Sequence, residues 1–421
     1  MLRVFFCIRS IKVVKAINFR HFRHFRHFIN STSTNSNNFK KNKLYIPMKY
    51  YVIAGEASGD LHASKLMHGI KARDSQAEFR CWGGDFMLEV GGTIVKHYRE
   101  LAFMGFQEVI LNLKTILQNI RFCKQDILSW KPDAVILVDY PGFNMRIAEF
   151  AKAQGLKVFY YISPQVWAWK KRRVHKLHRN TDMAFVVMPF EKEFHARYGY
   201  HVEFVGHPMP DSMDLTAKIN ESAFRKANKL NDKPIIALVP GSRKQELKLI
   251  LPFMLKTTEH FPNYQFVIAG VTTIKPEYYS NLIKNYPVKV VIGKTHDLLR
   301  VSRAAVVKSG TVTLETAMLE IPQVVVYRFS FLSALIALML VHVKYISLVN
   351  LILDRKAVAE LIQYKFTAES LYHELAPLLP DGKQRSRMLD DYKELLIRVG
   401  PPGASDRAAA LMVQKLMGDK D

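Results

Sequence analysis

Asp139 ends the apolar run Ala134–Val138 and opens D-Y-P-G-F-N, residues 139–144, with Asn144 closing the motif. A carboxylate there is either a helix N-cap or a general base facing a cleft, and the pattern leaves both open. Three other turns after apolar runs also hold groups suited to a ligand. G-E-A-S-G-D, 55–60, has glycines on either side of Ser58 that let the backbone turn tightly, with Glu56, Gly59 and Asp60 beside it. It lacks the G-K-[S/T] of a Walker A loop, and such a turn is also compatible with a purely structural role. P-G-S-R, 240–243, places Gly241, Ser242 and Arg243 together. Arg243 either grips a diphosphate bidentately or is a surface side chain after a turn. S-G-T-V-T-L-E, 309–315, is the most specific signal: Ser309, Gly310 and Thr311 form an anion cradle at a helix start. Glu315, one turn in, is placed either to accept hydrogen bonds from both hydroxyls of a ribose or simply to favour the helix N-terminus. A fifth stretch, S-P-Q-V-W-A-W with Lys170 to Arg173 after it, brings Ser163, Gln165, Trp167 and Trp169 next to four cations. It reads as a nucleic-acid patch, a sugar-stacking lip, or a buried Trp pair beside a solvated helix start.

These turns need strands to hold them. Tyr50–Ala54, Ala134–Val138, Val158–Ile162 and Met183–Met188 form one series of apolar runs. Ile235–Val239, Phe266–Ala269, Val288–Ile292, Ala304–Val307 and Val324–Tyr327 form another. Runs too continuous to alternate belong to strands covered on both faces, so helix-covered parallel sheets follow. The polar stretch Asp211–Lys233 separates the series, predicting two doubly wound α/β domains rather than one (β/α)₈ barrel. In open α/β sheets ligands bind at the carboxyl ends of strands, where all these motifs lie.

Composition agrees. With 421 residues the chain is long enough for two cores, and 49% hydrophobic against 23% charged residues excludes a disordered chain. Of the formal charge of +24, residues 1–47 contribute +10, from five Arg and five Lys with no acid. The remaining 51 basic and 37 acidic side chains still favour phosphates, nucleic acid or an anionic membrane surface. Residues 1–47, with their F-R-H repeat at 19–28, resemble a transit peptide in composition. A strand starting at Met48 favours a start there, so the segment is left out of the fold. Cys7, Cys81 and Cys123 form no C-x-x-C pair, which argues against a disulfide framework or structural zinc and for a reducing compartment. Phe329–Val343 is almost continuously apolar but shorter than the ~20 residues that span a bilayer. It is either a buried helix or an interfacial one.

Taken in order, the motifs resemble the lipid-A-disaccharide synthase family of bacterial GT-B glycosyltransferases. They are G-E-A-S-G-D (55–60), F-M-G-F-Q-E-V (103–109), D-Y-P-G-F-N (139–144), Y-I-S-P-Q-V-W-A-W (161–169), P-F-E-K (189–192), V-G-H-P (205–208), P-G-S-R (240–243) and S-G-T-V-T-L-E (309–315). The resemblance runs from Met48 to about Gln363 and more loosely beyond. It implies two Rossmann-like domains facing each other across a cleft: an acceptor-side domain at 48–212 and a nucleotide-sugar domain at 213–365. Helices in 366–421 are expected to return to the first domain. The implied reaction joins UDP-2,3-diacylglucosamine to 2,3-diacylglucosamine 1-phosphate, giving a β-1,6-linked disaccharide phosphate and UDP with inversion. No cofactor or metal is implied, and no D-x-D motif faces either cleft wall. Asp139 is then the candidate base for the acceptor 6-hydroxyl. Arg243 and N–H groups near Ser309–Thr311 would neutralise the diphosphate, Glu315 would bind the ribose, and Asn350 would line the nucleotide pocket. The family usually has Pro where this chain has Val349, so the backbone beside Asn350 departs from the pattern.

Because both implied substrates are acylated, the resemblance also implies a cytoplasmic enzyme lying peripherally on the anionic inner-membrane surface. Phe103, Met104 and Phe106, with Leu335, Leu338 and Leu340, are the candidates for lipid contact. Two competing functions remain: another UDP-sugar enzyme of the same fold, such as a UDP-N-acetylglucosamine 2-epimerase, and a non-catalytic RNA-binding protein using the Trp/Lys/Arg lip. The synthase reading expects no nucleic-acid partner and leaves the oligomeric state open.

Overall fold

The computed structural model describes residues 47–100, 113–169, 173–328 and 344–418. The candidate lipid contacts Phe103, Met104, Phe106, Leu335, Leu338 and Leu340 lie outside these residues, as do Lys170, Lys171 and Arg172 and the side chain of Trp169.

Strands β1 (Lys49–Ala54), β2 (Glu78–Gly83), β3 (Thr93–His97), β4 (Ala134–Val138), β5 (Lys157–Tyr161), β6 (Met183–Val186) and β7 (Glu203–Phe204) form one sheet, in the order 3-2-1-4-5-6-7. A second contains β8 (Ile235–Val239), β9 (Gln265–Gly270), β10 (Lys289–Ile292), β11 (Ser302–Lys308), β12 (Gln323–Tyr327) and β13 (Ala359–Ile362), in the order 10-9-8-11-12-13. Every pairing is parallel. Both sheets are open, so the architecture is the expected pair of doubly wound α/β sheets and not a barrel. β4 and β8 are buried along their whole length, as continuous apolar runs require.

Strand order reverses between β1 and β4 in the first sheet and between β8 and β11 in the second. A crevice opens at the carboxyl end of each such switch point. In-register pairing of Ala54 with Val138 puts Gly55 and Asp139 side by side at the first crevice. Pairing of Val239 with Val307 brings P-G-S-R and S-G-T-V-T-L-E to the second.

The C-terminal segment divides. The sequence expectation sends all of 366–421 to the first domain, whereas in the structure the segment parts, and the piece that packs there is the helix Ala404–Gly418. Its Ala404, Ala408, Ala409, Met412, Val413 and Leu416 pack in one cluster with Ala63, Leu66, Met67 and Ile70 of the helix Ala57–Lys71. Burial of residues such as Met412 or Leu416 is worth roughly 1.5–3 kcal/mol each. Small residues let the two helices approach closely: a Cβ on Gly69 would sit 2.9 Å from that of Ala409. The helices Ala368–Leu375 and Arg385–Val399 instead bury Leu371, Leu375, Met388, Tyr392 and Leu395 in the core of the second sheet. Their apolar faces are used there, which leaves nothing to cross over. Asp211 fastens the crossing, its carboxylate accepting the N–H groups of Gly403, Ala404 and Ser405. Nearby, His207 N–H donates to the Val399 carbonyl at 2.9 Å.

Candidate active site

At the first crevice the chain turns sharply after β4. Asp139 and Tyr140 both adopt left-handed backbone angles, φ 47° and 50°. For a bulky residue such as Tyr this costs on the order of 1–3 kcal/mol, and the surroundings must enforce it. Asp139 N–H donates to the Tyr161 carbonyl at 3.1 Å. Its own carbonyl accepts from the Tyr160 hydroxyl at 2.7 Å and from Asn144 Nδ2 at 2.8 Å. Tyr140 stacks on Phe143 with ring centroids 5.6 Å apart. Pro141 begins the helix Pro141–Ala153, where its missing N–H costs nothing. The motif D-Y-P-G-F-N therefore encodes an elbow.

The elbow excludes the N-cap role for Asp139. The N-cap position is Tyr140, and no side chain among the described residues caps the helix. The Asp139 side chain is exposed at the crevice. Crowding by the crevice walls, reinforced by the Glu56 carboxylate and opposed by the Tyr140 N–H, pushes its pKa up to about 6. Solvent reaches the group on its open side, so near neutral pH it is an ionised carboxylate able to take a proton.

Other first-domain candidates divide between crevice and scaffold. Ser58 and Gln165 are exposed, and Glu56 is half-buried close enough to Asp139 to act on it. Asp60 is buried and accepts from Gly84, Phe86 and Met87 N–H, holding the start of the helix Asp85–Glu89. Asn144 Nδ2 also donates to the Val138 and Ile53 carbonyls, at 3.3 and 3.4 Å, tying β4 to β1. Gly59 packs beneath the turn, 3.3 Å from the Ala54 methyl by its would-be Cβ. Ile162, just past β5, has φ 56°, a true outlier for a β-branched residue, and presents Ser163 next. Ser163 Oγ is buried and takes no hydrogen bond from the described residues. Trp167 is held by fully buried Glu191: its Nε1–H donates to Oε1 at 3.1 Å, while Val187 and Met188 N–H fill Oε2. Burial lifts the Glu191 pKa to about 7 against the pull of these donors. Phe190 meets the Trp167 ring edge-on at 5.0 Å. Trp167, Phe190 and Arg197 face Lys344, Ile352 and Arg398 across a cavity of about 620 Å³ between the two halves.

At the second crevice a cavity of about 590 Å³ lies over the ends of β8, β9, β10 and β11. Gly241, Ser242, Gly310, Thr311 and Glu315 line it. Gly241, with φ 109°, lies against Glu246, whose Oε2 would be 2.3 Å from a Cβ there. Glu246 accepts from Ser242 N–H at 3.1 Å and pairs with Lys308 Nζ at 3.0 Å. Glu315 Oε2 lies 2.8 Å from His296 Nε2. Arg243 is exposed at the N-cap of the helix Lys244–Lys256, close enough to Tyr327 to act on its hydroxyl. The Ser309 hydroxyl donates to the Ile346 carbonyl at 2.8 Å, which tethers the turn. Among the described residues no group of three or more His, Cys, Asp or Glu side chains is arranged to hold a metal ion.

Asn350 requires a correction. It is fully buried, and its amide serves the chain itself. Nδ2 donates to Val358 O and Glu360 Oε1, both at 2.9 Å, while Oδ1 accepts Ala357 and Val358 N–H at 2.8 and 2.9 Å. It staples the helix Leu348–Leu353 to the start of β13 and does not line the cavity. Neighbouring Val349 is in the first helical turn, where N–H groups have no intrahelical partner. The helix starts without a Pro there because Ser347 caps it, its side chain accepting from Asn350 N–H.

The lipid-A-disaccharide synthetase family model matches residues 50–412 of this chain. The chain belongs to the lipid-A-disaccharide synthetase family. A lipid-A-disaccharide synthase from Syntrophus aciditrophicus is 38% identical over 367 residues, covering 86% of this chain and 96% of the relative. As a member of this family the protein is a glycosyltransferase of lipid A biosynthesis. Solved structures agree on the fold. The UDP-GlcNAc 2-epimerase of Neisseria meningitidis, bound to UDP-GlcNAc, superposes with TM-score 0.60 at 13% identity, over 88% of this chain and all of that one. The glycotransferase of kitacinnamycin gives TM-score 0.58 at 14% identity, over 87% of this chain and 99% of that one.

In this family member, sequence reasoning missed His296, Glu246 and Lys308, which line the second cavity. Each had a signal. His296 follows β10 in G-K-T-H-D, Lys308 directly follows the apolar run Ala304–Val307, and Glu246 comes three residues after P-G-S-R.

Proposed function

We propose that the chain transfers the 2,3-diacylglucosaminyl unit of UDP-2,3-diacylglucosamine to the 6-hydroxyl of 2,3-diacylglucosamine 1-phosphate. The carbon–oxygen bond to UDP breaks with its electron pair leaving on the diphosphate. The acceptor oxygen bonds the anomeric carbon from the opposite face, and its proton passes to Asp139. A β-1,6-linked disaccharide phosphate and UDP result, with inversion. The observation that carries this reading is the Asp139 elbow in a chain of this family: a strained, exposed carboxylate with its pKa raised to about 6 at a switch-point crevice. The second cavity supports a nucleotide diphosphate, with Lys308 and Lys294 on its wall, the Gly310–Thr311 turn beside them and Arg243 close by. Acylated substrates would bring the enzyme to the cytoplasmic face of an anionic membrane, which its basic charge favours. No helix among the described residues is long and apolar enough to cross a membrane.

The test is UDP release from UDP-2,3-diacylglucosamine, with and without the acceptor phosphate, by the full chain and its Asp139→Ala variant. Acceptor-dependent release that falls by ~10²-fold or more in the variant supports the reading. Release independent of acceptor, or none from a folded protein that binds UDP, overturns it.

A further inference from the structure

We propose that His296 is a positioning residue for Glu315, and that the pair makes the second cavity select a ribonucleoside diphosphate over its 2′-deoxy counterpart. The inference rests on the reading of this cavity as the UDP site.

Among the described residues, Glu246, Asp297 and Glu315 are the carboxylates lining the cavity. Both oxygens of Glu246 are engaged, by Lys308 Nζ and Ser242 N–H. Asp297 faces Arg300 on its own helix at 3.9 Å. Glu315 differs. Its Oε2 meets His296 Nε2 at 2.8 Å, and its Oε1 takes no hydrogen bond from the described residues. An ionised carboxylate only accepts, so the ring nitrogen at this contact carries the hydrogen. A carboxylate has about four acceptor positions, and one bond from His296 leaves Oε1 and part of Oε2 for two neighbouring hydroxyls.

The two residues reach the cavity from separate elements. His296 is on the helix Thr295–Arg300 after β10, and Glu315 is on the helix Val312–Met318 after β11. Two strands, β9 and β8, separate β10 from β11 in the sheet, so the contact bridges their ends. A glutamate alone loses side-chain freedom when it orders against a ligand. His296 fixes the carboxylate beforehand, and the benefit falls on a ligand that presents both hydroxyls of a vicinal diol.

Titration calorimetry with UDP and 2′-deoxy-UDP tests the proposal on the full chain and on His296→Ala, His296→Gln, Glu315→Gln and the His296→Ala/Glu315→Gln double variant, with circular dichroism confirming the fold. The wild type is expected to prefer UDP by about tenfold or more. His296→Ala should remove most of that preference while changing 2′-deoxy-UDP affinity by less than about twofold, and His296→Gln, which keeps a donor, should restore part of it. The double variant should be no worse than Glu315→Gln, since the residues act as one unit. A His296→Ala variant that keeps the wild-type ratio, or weakens both nucleotides equally, overturns the proposal. A wild type that binds neither nucleotide overturns the reading of the cavity, and the proposal with it.

Discussion

The ring of Tyr140 occupies the space a side chain at position 55 would need: a Cβ on Gly55 would lie 2.4 Å from the ring carbons. The glycine is thus required by a residue 85 positions later, and the Asp139 elbow depends on it.

Gly55→Ala should push Tyr140 aside, destabilise the protein by roughly 1–3 kcal/mol and disturb Asp139. Pairing it with Tyr140→Gly removes the clash and suits the left-handed backbone there. Urea denaturation of the single and double variants measures this. Additive losses would show that the contact does not hold the elbow.

If Asp139 is the base, activity should rise with pH through about 6 as its carboxylate loses its proton, then level off. Glu56 contributes to the raised pKa by like-charge repulsion. Glu56→Gln should therefore move the rise to lower pH, and a pH–kcat/KM profile reads the shift. A rise that stays in place would assign the ionisation to another group.

Asn350→Ala should cost roughly 1–3 kcal/mol, because it strands the Val358 N–H inside the protein and takes one partner from the Ala357 N–H and one from the Glu360 carboxylate. In protein that remains folded, UDP affinity should stay within about twofold of wild type, since the change removes no ligand contact. Thermal melts and calorimetry together separate a staple from a ligand group.

Asp211→Ala removes the acceptor for three N–H groups at the start of the helix Ala404–Gly418 and should lower stability by about 1–2 kcal/mol. Hydrogen exchange is expected to quicken first in that helix and in the facing helix Ala57–Lys71.

The central strands were legible because burial on both faces leaves a continuous apolar signature, as in A-V-I-L-V of β4. β2, β3 and β13 were not read, because E-F-R-C-W-G, T-I-V-K-H and A-E-L-I mix polar side chains into half-exposed or edge positions. Turns at the switch points were found, because glycine, hydroxyl and charged residues after an apolar run mark them. What each polar side chain does was harder to read. Asn144 and Asp60 sit in motifs that looked ligand-directed, yet their partners are backbone groups of the protein itself. His296 and Glu315 are far apart in sequence, and only the sheet order brings them into contact.

The return of the last helix also bears on biosynthesis. A ribosome releases the first half of the chain well before residues 404–418, so Leu66, Met67 and Ile70 emerge long before the residues that cover them. The nascent first domain must therefore wait with an apolar helix face uncovered while the whole second sheet is made. Such a face is a target for chaperones and a risk for aggregation. Loss of only the final helix would make that temporary exposure permanent.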